Sequence, residues 1–404
     1  MTDPSRVRVA GPLEPFGPGF SAELGRQGYT PNSAGQQMRL LADLSRWLAA
    51  DGHDVARLDV ATVEAFLASR RHAGYTNHLT HKALQPLLAH LRGLGAVPAP
   101  SVPEPHGPVE ELLERYRRYL TVERGLGGPT ARGYLDAVRP FLGGRISPER
   151  LDLDLEHLSA ADVTAFVVAR CAQPQGSAKL TVTALRSLLG YLHVEGATSR
   201  PLQAAVPSVA GWRLAGLPKG LEPGELRSLL ASCDRRSANG RRDFAILTML
   251  SRLGLRTGEV AALGLDDVDW RVGEIVVCGK GRRSERLPLP ADVGEALAAY
   301  LRDGRPPSAE GRAFFLRVKA PHRTLTSGGV TQVVAAAAAR CGLGQIHAHR
   351  LRHTAATAML RAGAPLPEIG QVLRHRRALT TAIYAKVDRE ALRAIARPWP
   401  GGAA

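Results

Sequence analysis

The sequence is poor in aromatic residues, in cysteine and in long apolar runs. Phe, Trp and Tyr make up 5% of the 404 residues, so hydrophobic cores must be built from Leu, Val and Ala. The four cysteines are scattered without a C-x-x-C pair, which argues against disulfides and against a zinc site. The longest strongly apolar stretch, 333–339, is too short to cross a membrane, and residues 1–20 lack a signal-peptide pattern. These absences favour a soluble, cytoplasmic protein.

Lysine is also scarce, since it supplies six of the 53 Lys and Arg residues. The formal net charge is nevertheless +16, and a globular chain this basic usually binds a polyanion, with nucleic acid as the first candidate. Arginine suits forked contacts to phosphate. Charge alone leaves an enzyme and a generic basic binder equally open.

The N-terminal half contains an internal duplication. Residues at a constant offset of 100 repeat as follows: Leu58, Ala61, Val63, Ala65, Phe66 and Arg70 recur as Leu158, Ala161, Val163, Ala165, Phe166 and Arg170. A further set that starts at Ala83 and Ala184 has the spacing of one amphipathic helix. The pattern predicts two helical bundles, of which either both or only one would bind DNA.

The predicted architecture is multidomain and mainly α, with a mixed third domain. Two strands, Glu274–Cys278 and Glu285–Leu289, are expected to form an antiparallel hairpin with a basic tip. Helices are predicted at Glu222–Ala231, Asp243–Leu253, Ala291–Asp303, Gly329–Cys341, His349–Ala362, Leu366–Leu373, Thr380–Lys386 and Arg389–Ala396. The predicted segments are a flexible N-terminal arm (1–20), a first bundle (21–100), a second bundle (107–205), a linker (206–221) and a mixed α+β domain (222–404).

Two cationic side chains of the third domain lie in turns that suit phosphate chemistry. Arg256 follows the predicted end of a helix, and Glu259 is close enough in sequence to orient its guanidinium. Arg256 would therefore either make a bidentate contact to a phosphate or be a surface arginine paired with Glu259. Lys280 lies between two glycines at the hairpin tip, in a sequence that does not fit a phosphate-binding P-loop. Lys280 would either protonate a leaving oxygen, for which the arginine pKa is too high, or simply touch backbone phosphates.

His349 and Arg352 open a predicted helix at i and i+3, and therefore face the same side near a helix N-terminus. His349 would accept a proton or bind a phosphate oxygen, and Arg352 would supply a second fork. A metal site with His353 is disfavoured, because the helical zinc pattern needs Glu where Arg350 stands.

His375 ends a predicted helix, and Tyr384 follows it by nine residues. A tyrosine in such a helix is ordinarily a core or surface residue. Here two arginines and a helix N-terminus would favour its ionised, nucleophilic form.

Taken together, these motifs resemble the catalytic domain of the tyrosine recombinases, the family of phage integrases and Xer-type recombinases. The resemblance covers about residue 220 to the end clearly and 107–205 more loosely. It implies six catalytic residues, namely Arg256, Lys280, His349, Arg352, His375 and the nucleophile Tyr384. Glu259 and His353 would support them. Expected DNA contacts are Arg282, Arg283, Arg350, Arg374, Arg376 and Arg377.

The resemblance also implies how the enzyme works. Core-binding and catalytic domains would clamp duplex DNA, and Tyr384 would form a 3′-phosphotyrosine, release a 5′-hydroxyl and lead to a Holliday junction. No cofactor and no metal would be needed. Four protomers would act together on specific sites in nucleoid DNA, with related recombinases or accessory proteins as further partners.

Several alternatives remain open within this resemblance: a mobile-element integrase or tyrosine transposase, an Xer-type resolvase that maintains a replicon, and a catalytically silent DNA-binding protein. Two departures from the family pattern are visible in the sequence. Arg374 stands where the family usually has Gly before the second His, and an extra copy of the bundle (21–100) precedes the core-binding domain (107–205).

Overall fold

The structure is a computed structural model that describes residues 4–99, 107–147, 152–172, 178–208, 220–279, 284–309, 311–375 and 378–387. The chain divides into two compact units. One consists of Met1–Pro100 together with Leu214–Ala404, and the other is Ser101–Arg213.

The first bundle contains four helices: α1 (Gly17–Arg26), α2 (Pro31–Ala50), α3 (Val60–His72) and α4 (His81–Gly93). Two of these helices begin at a residue whose side chain is an N-cap. Thr30 accepts a hydrogen bond from the Ser33 N–H, and Asp59 accepts one from the Thr62 N–H. The leucines that these helices turn inward form a separate core.

The prediction of a flexible arm at residues 1–20 is wrong for the described residues 4–20. Leu13 and Phe20 are fully buried, and the Leu13 N–H donates to Ser45 Oγ at 3.0 Å. Helix α1 begins at Gly17, inside the predicted arm. The closely spaced Pro and Gly residues concealed these apolar side chains, because they interrupt any helical periodicity.

The second bundle repeats this order of helices: α5 (Pro108–Arg118), α6 (Gly128–Gly143), α7 (Ala160–Cys171) and α8 (Ala178–Val194). Helix α5 continues into a π-helical turn at Tyr119–Glu123. Equivalent positions of the duplication are buried in both bundles, as with Leu58 and Leu158, Val63 and Val163, Leu84 and Leu185, Leu87 and Leu188, and Leu91 and Leu192.

The rest of the described chain is mainly helical with a small sheet, which confirms the predicted fold class. Its helices are α9 (Pro223–Ala231), α10 (Ala238–Arg252), α11 (Thr257–Ala262), α12 (Ala291–Asp303), α13 (Ser327–Arg340), α14 (Ala348–Arg361), α15 (Leu366–Val372) and α16 (Ala378–Thr381). A 3₁₀ segment, Ala382–Val387, follows α16. The helix predicted at Arg389–Ala396 lies outside the described residues.

The sheet is antiparallel, with the order β1 (Val268–Asp269), β2 (Glu274–Cys278) and β3 (Ser284–Pro288). The two longer strands are the predicted hairpin, displaced by one residue in β3. Cys278 pairs with Ser284 at the end of the described ladder. The residues predicted for the hairpin tip, Lys280, Arg282 and Arg283, lie outside the described residues.

Two hydrophobic cores fix the positions of the helices after residue 220. Helix α10 is buried along most of its length, and it packs against α12 and α14 in the main core. A smaller core joins α14, α15 and the 3₁₀ segment through Ala356, Ile369, Leu373 and Tyr384. The ends of α10, α14 and α15 therefore meet at one place.

Candidate active site

The Arg256 guanidinium is fixed on one side and open on the other. Arg256 caps α11, where its N–H donates to Glu259 Oε2 at 2.8 Å and its Nη1 donates to Glu259 Oε1 at 2.6 Å. The side chain of Glu259 is 3% exposed, whereas that of Arg256 is 42% exposed. A buried carboxylate thus orients a guanidinium that solvent, or a ligand, can reach.

Arg352 connects the turn after α10 with the end of α15. Its side chain is fully buried, and its Nη1 donates to the Gly254 carbonyl at 2.5 Å while its Nη2 donates to the Leu373 carbonyl. Burial, with the nearby charge of Arg256, lowers the pKa of Arg352 to about 10, which leaves it charged at neutral pH. The guanidinium is therefore held between the α10–α11 turn and the end of α15.

Gly254 makes that arrangement possible. Its φ is +58°, and a Cβ placed there would lie 2.6 Å from Leu373 Cδ2. An L side chain would thus be strained by the backbone and would also strike Leu373.

Three histidines of the site are held in their neutral form. Burial, and then the positive charge of nearby arginines, lowers the pKa of His349. The pKa of His353 falls to about 4 because of burial and the neighbouring His349, whose ring centroid lies 4.5 Å away. The pKa of His375 also falls to about 4, mainly through burial and secondly through Arg352. At neutral pH these imidazoles are uncharged acceptors or donors rather than cations.

The Tyr384 phenol lies between two of these histidines. It is 1% exposed, its hydroxyl lies 2.9 Å from His353 Nδ1, and its ring is parallel to that of His375. His375 in turn is hydrogen-bonded through Nδ1 to Thr381 Oγ1 at 2.8 Å. Burial raises the pKa of Tyr384, against the opposing effect of Arg352. The hydroxyl is protonated and enclosed in this conformation.

Arg374 ends α15 in a left-handed conformation with φ +54°. Its N–H donates to the Gln371 carbonyl, and the His375 N–H donates to the Gly370 carbonyl, which is the Schellman pattern that usually uses glycine. The guanidinium is buried against Glu259, so in this conformation it does not present itself to DNA. Contact of Arg374 with DNA stays a prediction, as does contact of Arg350.

The remaining expected DNA contacts are described only in part. Arg350 is half-buried, with Nη2 donating to the Gly220 carbonyl at 3.4 Å. Arg376 and Arg377 lie outside the described residues, as do the arginines of the hairpin tip.

The structure thus brings together five of the six side chains that the sequence singled out for catalysis, while Lys280 is not described. It adds two features that sequence reasoning missed. His353, expected only to support the site, contacts the Tyr384 hydroxyl directly, and Thr381 fixes His375. The Thr380-Thr381 pair was a signal for the second feature, whereas nothing in the sequence marked the first.

Among the described residues, no group of three His, Cys, Asp or Glu side chains is arranged to hold a metal ion. No helix in that part of the chain is both long and apolar enough to span a bilayer.

Residues 219–391 match the family model described as phage integrase family. The candidate integrase/recombinase y4rA of Sinorhizobium fredii (strain NBRC 101917 / NGR234) is 41% identical over 95% of this chain and 94% of its own length. The chain therefore belongs to the phage integrase family of tyrosine recombinases, whose members break and rejoin DNA strands.

Two further proteins are similar to this chain, one in sequence and the other in fold. Tyrosine recombinase XerD of Mycobacterium tuberculosis (strain CDC 1551 / Oshkosh) is 33% identical over 72% of this chain and 96% of its own length. The post-cleavage complex of the XerH site-specific recombinase bound to palindromic difH substrate has the same fold, with a TM-score of 0.55 at 19% identity. That match covers 82% of this chain and 93% of XerH.

Proposed function

We propose that this chain is a site-specific DNA recombinase that cuts and rejoins strands through a 3′-phosphotyrosine at Tyr384. The observation that carries the proposal is the environment of the phenol, which lies among His353, His375 and the charge of Arg352. Its O–H contacts a neutral imidazole, which can accept a proton. The phenolate oxygen would bond to phosphorus as the 5′ oxygen of the next nucleotide leaves.

Fixed cations would stabilise the pentacoordinate phosphate. The exposed side of Arg256 supplies a bidentate contact, and Arg352 adds a second positive charge from a buried position. His349 lies in the first turn of α14, beside N–H groups that favour an anion. Lys280 would protonate the departing oxygen from the hairpin tip. This set of groups needs no metal ion.

Attack requires a rearrangement of the Tyr384 segment. A phenol that is 1% exposed cannot touch a DNA phosphate, so residues 378–387 must shift when substrate binds. The hydrogen bond to His353 would be exchanged for a contact with phosphorus. Burial raises the pKa of the phenol in the free protein, and the positive charge of nearby arginines such as Arg352 would lower it once the segment has moved.

The biological setting that we propose is a mobile genetic element, as an integrase or tyrosine transposase. The match to y4rA extends over 95% of this chain and so includes the first bundle. The match to XerD covers a smaller share of this chain, 72%. The second candidate, an Xer-type resolvase that maintains a replicon, is supported by that XerD similarity and uses the same chemistry.

The proposed partners are duplex DNA with specific sites and three further copies of this chain. Both bundles would grip the DNA near the cut, and recombination would take place on DNA in the cytoplasm. Related recombinases or accessory proteins would join this assembly where two different ends are exchanged.

The test uses duplex DNA with a nick next to the scissile phosphate, so that the short cut fragment diffuses away and the covalent complex accumulates. We expect an adduct that survives denaturing electrophoresis and forms equally well in EDTA. The Tyr384→Phe variant should form none, because it lacks the attacking oxygen.

Tyr300→Phe is the matched control. Tyr300 is the other tyrosine of residues 220–404, is equally buried, and accepts a hydrogen bond from the Leu316 N–H. It should form the adduct normally. A full yield of adduct with Tyr384→Phe would remove Tyr384 from its role, and an absence of adduct with every variant and substrate would favour a catalytically silent DNA-binding protein.

A further inference from the structure

Arg374 combines three features that are each unfavourable for an arginine. Its backbone is left-handed, at φ +54°, which L side chains rarely adopt. Its side chain is 4% exposed. Its buried Nε has no hydrogen-bond acceptor among the described residues. A residue under these constraints needs strong compensating contacts.

Those contacts lead to Arg256. The Arg374 Nη2 donates to Glu259 Oε2 at 2.8 Å, and its Nη1 donates to the Val372 carbonyl at 2.9 Å. The same Glu259 carboxylate holds Arg256 by two hydrogen bonds. In addition, Arg256 Nη2 donates to the Arg374 carbonyl at 3.3 Å. Arg374 therefore contacts the support of Arg256 with its side chain and Arg256 itself with its backbone.

We propose that Arg374 is a positioning residue, which keeps Glu259 ionised and thereby holds the Arg256 guanidinium in the geometry that cleavage requires. This inference rests on the proposed function. It assigns to Arg374 an action inside the protein, through Glu259, in place of direct contact with DNA.

The charge balance around Glu259 supports this role. Burial favours the neutral carboxyl, but the Arg256 N–H and the guanidiniums of Arg374 and Arg256 outweigh it, so the pKa of Glu259 is lowered. Arg352, from α14, is the third cation that faces this carboxylate. A protonated Glu259 would hold Arg256 by a weaker, neutral hydrogen bond.

Backbone and side-chain contributions can be separated by substitution. Arg374→Gly keeps the left-handed turn and its carbonyl but removes the guanidinium, whereas Arg374→Met also keeps most of the apolar stem. Arg374→Lys retains the charge. The matched control is Arg242→Met, which removes the guanidinium of another buried ion pair in the same domain, with Asp243.

The first measurement is the single-turnover rate of adduct formation on the nicked duplex at saturating protein, together with the DNA dissociation constant. We expect Arg374→Gly and Arg374→Met to slow cleavage by about tenfold or more, since a charged hydrogen bond is lost, while affinity for DNA changes little. Arg374→Lys should recover part of the rate. Arg242→Met should cleave at the wild-type rate once it is folded.

The second measurement needs no DNA and no activity. The Glu259 carboxyl is titrated by ¹³C NMR in protein labelled at glutamate, and its resonance is assigned as the one that is absent from the Glu259→Gln variant. In Arg374→Met its midpoint should lie about one pH unit or more above that of the wild type, because an opposite charge has been removed. In Arg242→Met it should not move.

The outcomes separate this inference from the proposed function. Normal cleavage by folded Arg374→Met, or an unchanged Glu259 titration, would overturn the role of Arg374 and leave the phosphotyrosine mechanism standing. A weakened DNA affinity with an unchanged cleavage rate would mean that Arg374 touches DNA instead. A wild type that forms no adduct would defeat the proposed function, and the titration would still decide whether Arg374 keeps Glu259 charged.

Discussion

At the scale of single residues, burial shifts the pKa of several groups in the site. Arg352 stays charged, while His349, His353 and His375 are neutral and Tyr384 is protonated at neutral pH. The i, i+3 spacing of His349 and Arg352 was enough to predict that they share a helix face. The contact between His353 and Tyr384 was not predictable, because 31 residues separate them and only the packing of α14 on the 3₁₀ segment joins them.

The buried histidines predict a pH-dependent stability. In the unfolded chain their pKa is about 6.5, whereas in the fold that of His353 and of His375 is about 4. The folded state binds fewer protons, so its stability is complete above about pH 6.5 and is lost as pH falls toward about 4.

We expect the urea midpoint of the wild type to fall between pH 7.5 and pH 5, and to fall less in the double variant His353→Gln, His375→Gln. Equal falls in both proteins would show that these two histidines are not held neutral.

At the scale of elements, two turns carry the site. One is the Gly254 turn between α10 and α11, and the other is the Schellman turn at Arg374 that ends α15. The sequence predicted the first, since Gly254 stops an apolar helix. The second turn was not predictable, because an Arg at a position where the family usually has Gly is explained only by its partner Glu259, which lies 115 residues away in the chain.

Element boundaries were less predictable than element types. Helix α10 begins at Ala238, five residues before its predicted start, because Ser237 caps it through the Gly240 N–H and the basic residues Arg241 and Arg242 lengthen it without an apolar signal. The cap, and not hydrophobic periodicity, sets that boundary.

Gly254→Ala should damage stability and cleavage together. The left-handed backbone costs about 1–2 kcal/mol for an L residue, and the new Cβ would displace Leu373, whose carbonyl helps to hold Arg352. We expect a lower urea midpoint and a slower single-turnover cleavage rate.

Gly342→Ala is the control for that substitution. Gly342 follows α13 with φ +68°, and a Cβ there meets nothing within 4 Å. It should therefore lower stability by the backbone cost alone and leave the rate of the folded protein intact. An equal loss of cleavage rate in both variants would show that Gly254 has no specific role in holding the active site.

At the scale of the whole molecule, the duplication and the distribution of charge define what each part contributes. The repeated leucines predicted two helical bundles, and both copies have the same order of helices. Residues 220–404 hold 29 of the 53 Lys and Arg residues but 17 of the 37 Asp and Glu residues, so most of the net charge lies in the catalytic part of the chain. The bundles are close to neutral and would add shape and sequence recognition more than charge.

Binding to duplex DNA should therefore depend steeply on salt. If six or more phosphates are neutralised, affinity should fall by about a thousandfold between about 50 and 200 mM salt. Fluorescence anisotropy of a labelled duplex over this range measures the slope. A nearly flat dependence would contradict phosphate contacts as the main source of affinity.

The central claim is that Tyr384 becomes covalently joined to the 3′ phosphate of a cut strand. The most direct measurement is mass spectrometry of the adduct after nuclease and trypsin digestion, because trypsin releases residues 378–386 as one peptide with Tyr384 as its single tyrosine. We predict a nucleotide linked through its 3′ phosphate to Tyr384, and a released DNA fragment that a kinase labels at its 5′ end without prior phosphatase treatment. A nucleotide on any other residue, or a fragment that carries a 5′ phosphate, would contradict the account.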